Sequence, residues 1–117
     1  MSKKAASEAD KGKKVSARSK PYGPDEAKRK IVQILREGNT VFSEHLLKDI
    51  ARNRRGVTHQ DVLYELQNGE IISAPVWDEN NQNWKYKVEG VDLEDEDLRA
   101  ITIIIDEQFC LFIVTAY

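Results

Sequence analysis

Apolar and polar positions change their period once along this chain, near residue 70. Between Asp25 and Glu37, Ala27, Ile31, Ile34 and Leu35 recur at helical spacing, and Pro24 suits a first helical position. Gly38-Asn39 ends this first helix. A second helix is predicted from the N-cap Ser43 to about Arg54 or Arg55. Phe42 and Leu47 stand at the spacing of a hydrophobic staple, and Leu46, Leu47, Ile50 and Ala51 form the core stripe. The third helix repeats this grammar. Thr58 is its N-cap, Asp61 its third residue, Val57 with Val62 its staple, and Asn68-Gly69 its stop, with Val62, Leu63 and Leu66 facing the core. Beyond Gly69 the pattern shortens. Glu70–Val76 reads as a strand, residues 78–83 as a turn, and Trp84–Glu89 alternates with Trp84, Tyr86 and Val88 on one face. After the acidic connection Gly90–Asp97, Ala100–Ile105 and Phe109–Tyr117 form a hairpin around Asp106-Glu107-Gln108. Both hairpin strands are apolar on both faces, which places them centrally; the Trp84 strand, with one charged face, is half exposed. The expectation is an α+β domain over residues 24–117, with about three N-terminal helices packed on a four-stranded antiparallel β-meander.

Composition adds boundaries to this picture. At 117 residues the chain fits one small domain. The apolar stretches Ala100–Ile105 and Phe109–Val114 fall far short of the ~20 residues of a membrane helix, and no apolar segment follows the basic start as in a secretory leader. A soluble, cytoplasmic protein with no membrane partner is expected. One cysteine and two histidines supply neither a disulfide framework nor a cysteine-rich metal site. No phosphate-binding loop, dinucleotide fingerprint or nucleophile elbow is present, so no cofactor or metal is expected. The near-neutral total conceals an asymmetry. Residues 1–20 hold seven basic and two acidic residues, whereas residues 21–117 carry a net charge of −7. Residues 1–23 therefore read as a disordered basic arm, either a polyanion-binding tail or a solubilising leader.

Candidate chemistry is sparse. His45 is the second residue of its helix and points away from the apolar stripe; Asp49, one turn later, is placed to orient the imidazole. His59, at the first position of the third helix, reads as surface decoration. Arg52, Arg54 and Arg55 cluster at the end of the second helix, where they either complement the helix dipole or clamp phosphate. Lys85 and Lys87, two apart on a strand, project from one face. They either protect a sheet edge or hold a scissile phosphate. Thr115 and Tyr117 are expected to share a strand face with Phe109, Leu111 and Ile113, and Cys110 to be a small core hydrophobe. The acidic run Asp92, Glu94, Asp95, Glu96 and Asp97 argues against broad nucleic-acid binding and offers a surface to a basic partner segment.

In order along the chain, Gly38-Asn39-Thr40-Val41-Phe42-Ser43-Glu44-His45, Gly56-Val57-Thr58-His59-Gln60-Asp61-Val62-Leu63 and Asn68-Gly69-Glu70-Ile71-Ile72 resemble a family of small bacterial proteins. It stands on the RelE-like side of the barnase–EndoU–colicin–RelE fold group. Trp84-Lys85-Tyr86-Lys87-Val88, Gly90-Val91-Asp92-Leu93-Glu94 and Ile113-Val114-Thr115-Ala116-Tyr117 continue the likeness, which covers about residues 28–117. The resemblance implies helices followed by a curved antiparallel meander, and a toxin that cleaves RNA without a metal and is neutralised by a cognate antitoxin. It places His45 on the family histidine and Lys85 and Lys87 on its basic strand, with Asp49 where relatives commonly have arginine. On this reading His45 is base or acid, Lys85 and Lys87 stabilise charge, Tyr117 is a second acid, and Arg54 and Arg55 position the RNA backbone. The alternative is a non-catalytic interaction module of the same fold, binding a partner through its acidic loop or sheet edge.

Overall fold

The computed structural model describes residues 20–53 and 56–117. The expected basic arm therefore lies outside the described residues up to position 19, as do Arg54 and Arg55. The elements follow in the order α1 (Pro24–Glu37), β1 (Asn39–Phe42), α2 (Glu44–Ala51), α3 (His59–Asn68), β2 (Glu70–Ile71), β3 (Val76–Asp78), β4 (Asn83–Val91), β5 (Asp97–Ile105) and β6 (Cys110–Ala116); a short 3-10 turn, Asp106–Gln108, joins the last two. The sheet has six strands in the order β1-β6-β5-β4-β2, and β3 also pairs with β4. It is mixed, because β1 runs parallel to β6.

This architecture overturns the four-stranded antiparallel meander. One reason is β1, a four-residue strand between α1 and α2, so the helices do not all precede the sheet. Its residues read as a helix stop and a staple, yet their backbone completes the β6 edge. Gly38 makes the approach achievable: a Cβ there would collide with the carbonyl oxygen of Phe109, and the Asn39 N–H donates to that same oxygen at 3.1 Å. The second reason is that the strand expected over Glu70–Val76 divides into β2 and β3. Pro75, with no N–H to donate, stands in the break between them.

All three α-helices cover one face of the sheet. α1 packs on α3 and β2, α2 on β6, and α3 on β4 and β5. The core joins Ala27, Ile31 and Ile34 of α1 with Leu46, Val62 and Leu66, and these with Tyr86, Val88, Ala100, Ile104, Leu111 and Ile113 of the sheet. At ~1.5–3 kcal/mol per large buried apolar side chain, this cluster is the main source of cohesion. β5 and β6 do lie centrally. β4 is central too, with β5 on one side and β2 and β3 on the other; Lys85 is paired with Val76 there and guards no edge, while Lys87 lies opposite the break between β2 and β3.

Two helix faces differ from their predicted stripes. On α2 only Leu46 is fully buried, while Leu47 is 43% exposed. On α3 the buried residues are Asp61, Val62, Glu65 and Leu66, and Leu63 turns outward. Asp61 closes a capping box: its carboxylate accepts from the Thr58 N–H and hydroxyl, both at 3.0 Å, and the Thr58 hydroxyl accepts from the Asp61 N–H. It also accepts from Leu93 N–H at 3.0 Å, tying the acidic connection to α3. Burial would raise its pKa, but these bonds outweigh that and hold the carboxyl below its ordinary value.

Candidate functional site

Position in this site is decided by one extra residue in β6. Opposite β5, Ile101 pairs with Thr115 but Thr102 pairs with Ile113, so Val114 is bulged out of the ladder. A one-residue slip moves every following side chain to the other face. Thr115 therefore shares the face of Phe112, not that of Leu111 and Ile113. Tyr117 continues on that face, with its N–H and carbonyl bonded to Arg99 at 2.9 and 2.8 Å. This corrects the expected grouping of Thr115 and Tyr117 with Phe109, Leu111 and Ile113.

Ser43 fastens α2 to the bulge. Its N–H donates to the Ile113 carbonyl at 2.9 Å and its hydroxyl to the Val114 carbonyl at 2.7 Å. The same hydroxyl accepts from the Leu46 N–H as the helix N-cap. With the first turn of α2 held there, His45, Leu46, Asp49 and Ile50 line a cleft of about 240 Å³ with Val57, Thr115, Ala116 and Tyr117. The His45 side chain is 71% exposed, and its Nε2 lies 3.2 Å from Asp49 Oδ2. A carboxylate on Nε2 leaves the lone pair of the neutral imidazole on Nδ1, free to take up a proton.

Of the expected site residues, His45 and Tyr117 come together in this cleft. Lys85 and Lys87 do not line it. Lys87 stands opposite Ile101, which stands opposite Thr115, so its Cα is about 10 Å from that of Thr115 across two strand spacings. Lys85 is one row further, opposite Ile103. Arg52, exposed at the end of α2, is not among the cleft residues. His59, on the exposed side of α3, stacks at 5.0 Å on Phe42. Arg99 joins the site unanticipated. Its guanidinium lies over the Tyr117 ring at 5.8 Å and pairs with Glu89 at 3.4 Å. No signal in the alternation of β6 marks the bulge, and without it Arg99 could not be placed beside Tyr117.

Among the described residues no group of three or more His, Cys, Asp or Glu side chains could hold a metal ion, and no helix is long and apolar enough to cross a membrane. No curated protein and no solved structure matches the chain. One family profile does, over residues 42–117, the stretch that holds the whole cleft: the chain belongs to DUF4258, a domain of unknown function.

Proposed function

We propose that the cleft between α2 and the end of β6 cleaves RNA by internal transfer, as a toxin-like ribonuclease does. The observation that carries this is the meeting of the His45–Asp49 pair with Thr115 and Tyr117 in one open cleft. At about 240 Å³ it is smaller than the ~300–1,000 Å³ of typical small-molecule sites and suits a strand segment laid across it. His45 Nδ1 takes the proton from the ribose 2′-hydroxyl, whose oxygen attacks phosphorus. The bond to the 5′-oxygen breaks, and the Tyr117 hydroxyl returns a proton to that leaving group. The products are a 2′,3′-cyclic phosphate and a 5′-hydroxyl end. Lys87 and Arg99, on the same sheet face, stabilise the charge that develops on the phosphoryl oxygens. Purified protein is incubated with a labelled RNA and the ends are analysed. His45→Ala should lower the rate by ~10²–10⁴-fold with little change in melting temperature. Equal activity in His45→Ala overturns the assignment.

A second reading, a non-catalytic partner-binding module, draws on the acidic connection. The Asp92 carboxylate accepts from the N–H groups of Glu94 and Glu96 at 2.8 and 2.9 Å, and the Leu93 N–H is held by Asp61. This fixed tip presents Leu93, Glu94, Asp95 and Glu96 to solvent, a surface suited to a basic apolar segment. Wild-type protein that cleaves no RNA, with residues 1–19 present or removed, makes this the better reading.

A further inference from the structure

The core cluster that joins helices to sheet contains no residue from the sheet's other face. The registers lay that face out in rows. Val41, Phe112, Ile103 and Lys85 form one, with Val76 at its edge; Thr115, Ile101 and Lys87 form the next; Tyr117, Arg99 and Glu89 form the third. The centre is apolar, and Val41 and Val76 are exposed. Ile103 is only 2% exposed although none of the described helices lies over it, with Lys85 and Phe112 flanking it in its row.

We infer that this open face is a platform for single-stranded RNA, where a base stacks on Phe112 and the phosphates follow Lys85 and Lys87. The inference rests on the RNA reading of the adjoining cleft and names the form of RNA it takes. An aromatic ring on a sheet surface beside cations is what an unpaired base and its backbone require, since every base has a π-face. A duplex keeps its bases inside and cannot offer one to Phe112. Charge favours the phosphate side. Arg99 is paired with Glu89, and Asp78 is held by Asn81 and Asn80 with Lys85 nearby, whereas Lys87 has no carboxylate partner among the described residues. Thr115, at the cleft, stands one ladder row from Phe112, roughly 7 Å along the strand, because Val114 is bulged out between them. That span sets the stacked base one or two nucleotides from the bond to be cut.

The test uses the full chain and a 2′-O-methyl oligonucleotide of about 12 residues, which binds but cannot undergo transfer. Fluorescence anisotropy reads its affinity single-stranded and as a duplex of the same sequence. Single strands should bind more tightly. Phe112→Leu should weaken that binding about 5- to 150-fold, as the loss of one stacking contact implies, and Phe112→Tyr should restore it, with melting temperatures alike. Equal or tighter binding of the duplex, no binding of either form, or unchanged affinity in Phe112→Leu overturns the inference. If the platform behaves as expected but unmodified RNA stays intact, the cleavage reading fails and the platform stands. If RNA is cut in a His45-dependent way while Phe112→Leu binds like wild type, the reverse holds.

Discussion

Glu65 gives the sharpest test of the fold's energetics. It occupies an apolar position in the buried stripe of α3, is 0% exposed, and neither carboxyl oxygen has a hydrogen-bond partner among the described residues. Two glycines make room for it. A Cβ on Gly69 would stand 2.7 Å from Oε2 and one on Gly90 3.2 Å. Burial pushes the carboxyl from 4.5 up to about 8; the Lys28 ammonium, bonded to the Gly69 carbonyl, pulls the other way, and Glu89 adds to the rise. Glu65 is therefore a neutral acid in the folded protein at pH 7. In the unfolded chain it ionises near 4.5. Between these values the folded state holds a proton that the unfolded state has released, so stability falls as pH rises. The contribution is whole below 4.5 and fully lost above about 8.

Each pH unit in that window removes at most ~1.4 kcal/mol, a ceiling of ~5 kcal/mol across it. Relaxation around the carboxylate makes ~2–4 kcal/mol the expected loss, a large share of the ~5–15 kcal/mol that holds a typical domain together. Melting temperature should drop by about 10–20 °C from pH 5 to pH 8, followed by circular dichroism and by urea titration at each pH. Glu65→Gln, which cannot titrate, should flatten the profile over this range. Glu65→Met, which also removes the orphaned oxygens, should flatten it and exceed wild type at pH 8. Asp61 has the opposite sign but acts below its ordinary 3.8, and Tyr22 and Tyr86, both raised, act above 10. If Glu65→Gln keeps the wild-type slope between pH 5 and 8, the account of this buried carboxyl is wrong.

Other substitutions separate the remaining contacts. Asp61→Ala should cost ~1–3 kcal/mol in urea unfolding, since it strips the capping box and leaves the Leu93 N–H without its acceptor. The wild-type advantage should start to fade as pH falls below 3.8, where the unfolded chain takes up the proton, and vanish as pH falls through the lowered value of the folded carboxyl. Gly38→Ala should destabilise by more than the usual few tenths at a helix end, through collision with the Phe109 carbonyl, and should show in the thermal midpoint. Ile31→Ala, between helix and sheet, should cost ~2–5 kcal/mol. Ile103→Ala should cost less than Ile31→Ala, because only flanking side chains cover it; equal costs would mean that the open face is as tightly packed as the core.

Where the helices begin was legible because their caps are local chemistry. Ser43 and Thr58 accept from the N–H groups of Leu46 and Asp61, as the spacing implies. Helix rotation was less legible. Leu63 and Glu65 flank the Val62–Leu66 stripe on opposite sides of α3, so which of them is buried depends on what the helix packs against, and two glycines opposite admit the Glu65 carboxyl. β1 was hidden because four residues after a glycine carry no period of their own. Their strand character comes from β6, a partner some 70 positions later. Such pairing is invisible to any argument that proceeds by neighbours.

The site turns on a feature of this second kind. Between Phe109 and Tyr117 nearly every position is apolar or β-branched, so alternation assigns no face and a skipped residue leaves no trace in the pattern. Hydrogen bonding supplies what patterning lacks. Ser43 spends its hydroxyl on the bulged Val114 carbonyl as well as on its own helix, so the N-terminus of α2 and the displaced end of β6 are held by one side chain. That single joint places His45 beside Thr115 and turns Tyr117 toward Arg99. The helix start could be read from the sequence and its histidine singled out; what that histidine faces was written in a ladder register, which only the assembled sheet defines.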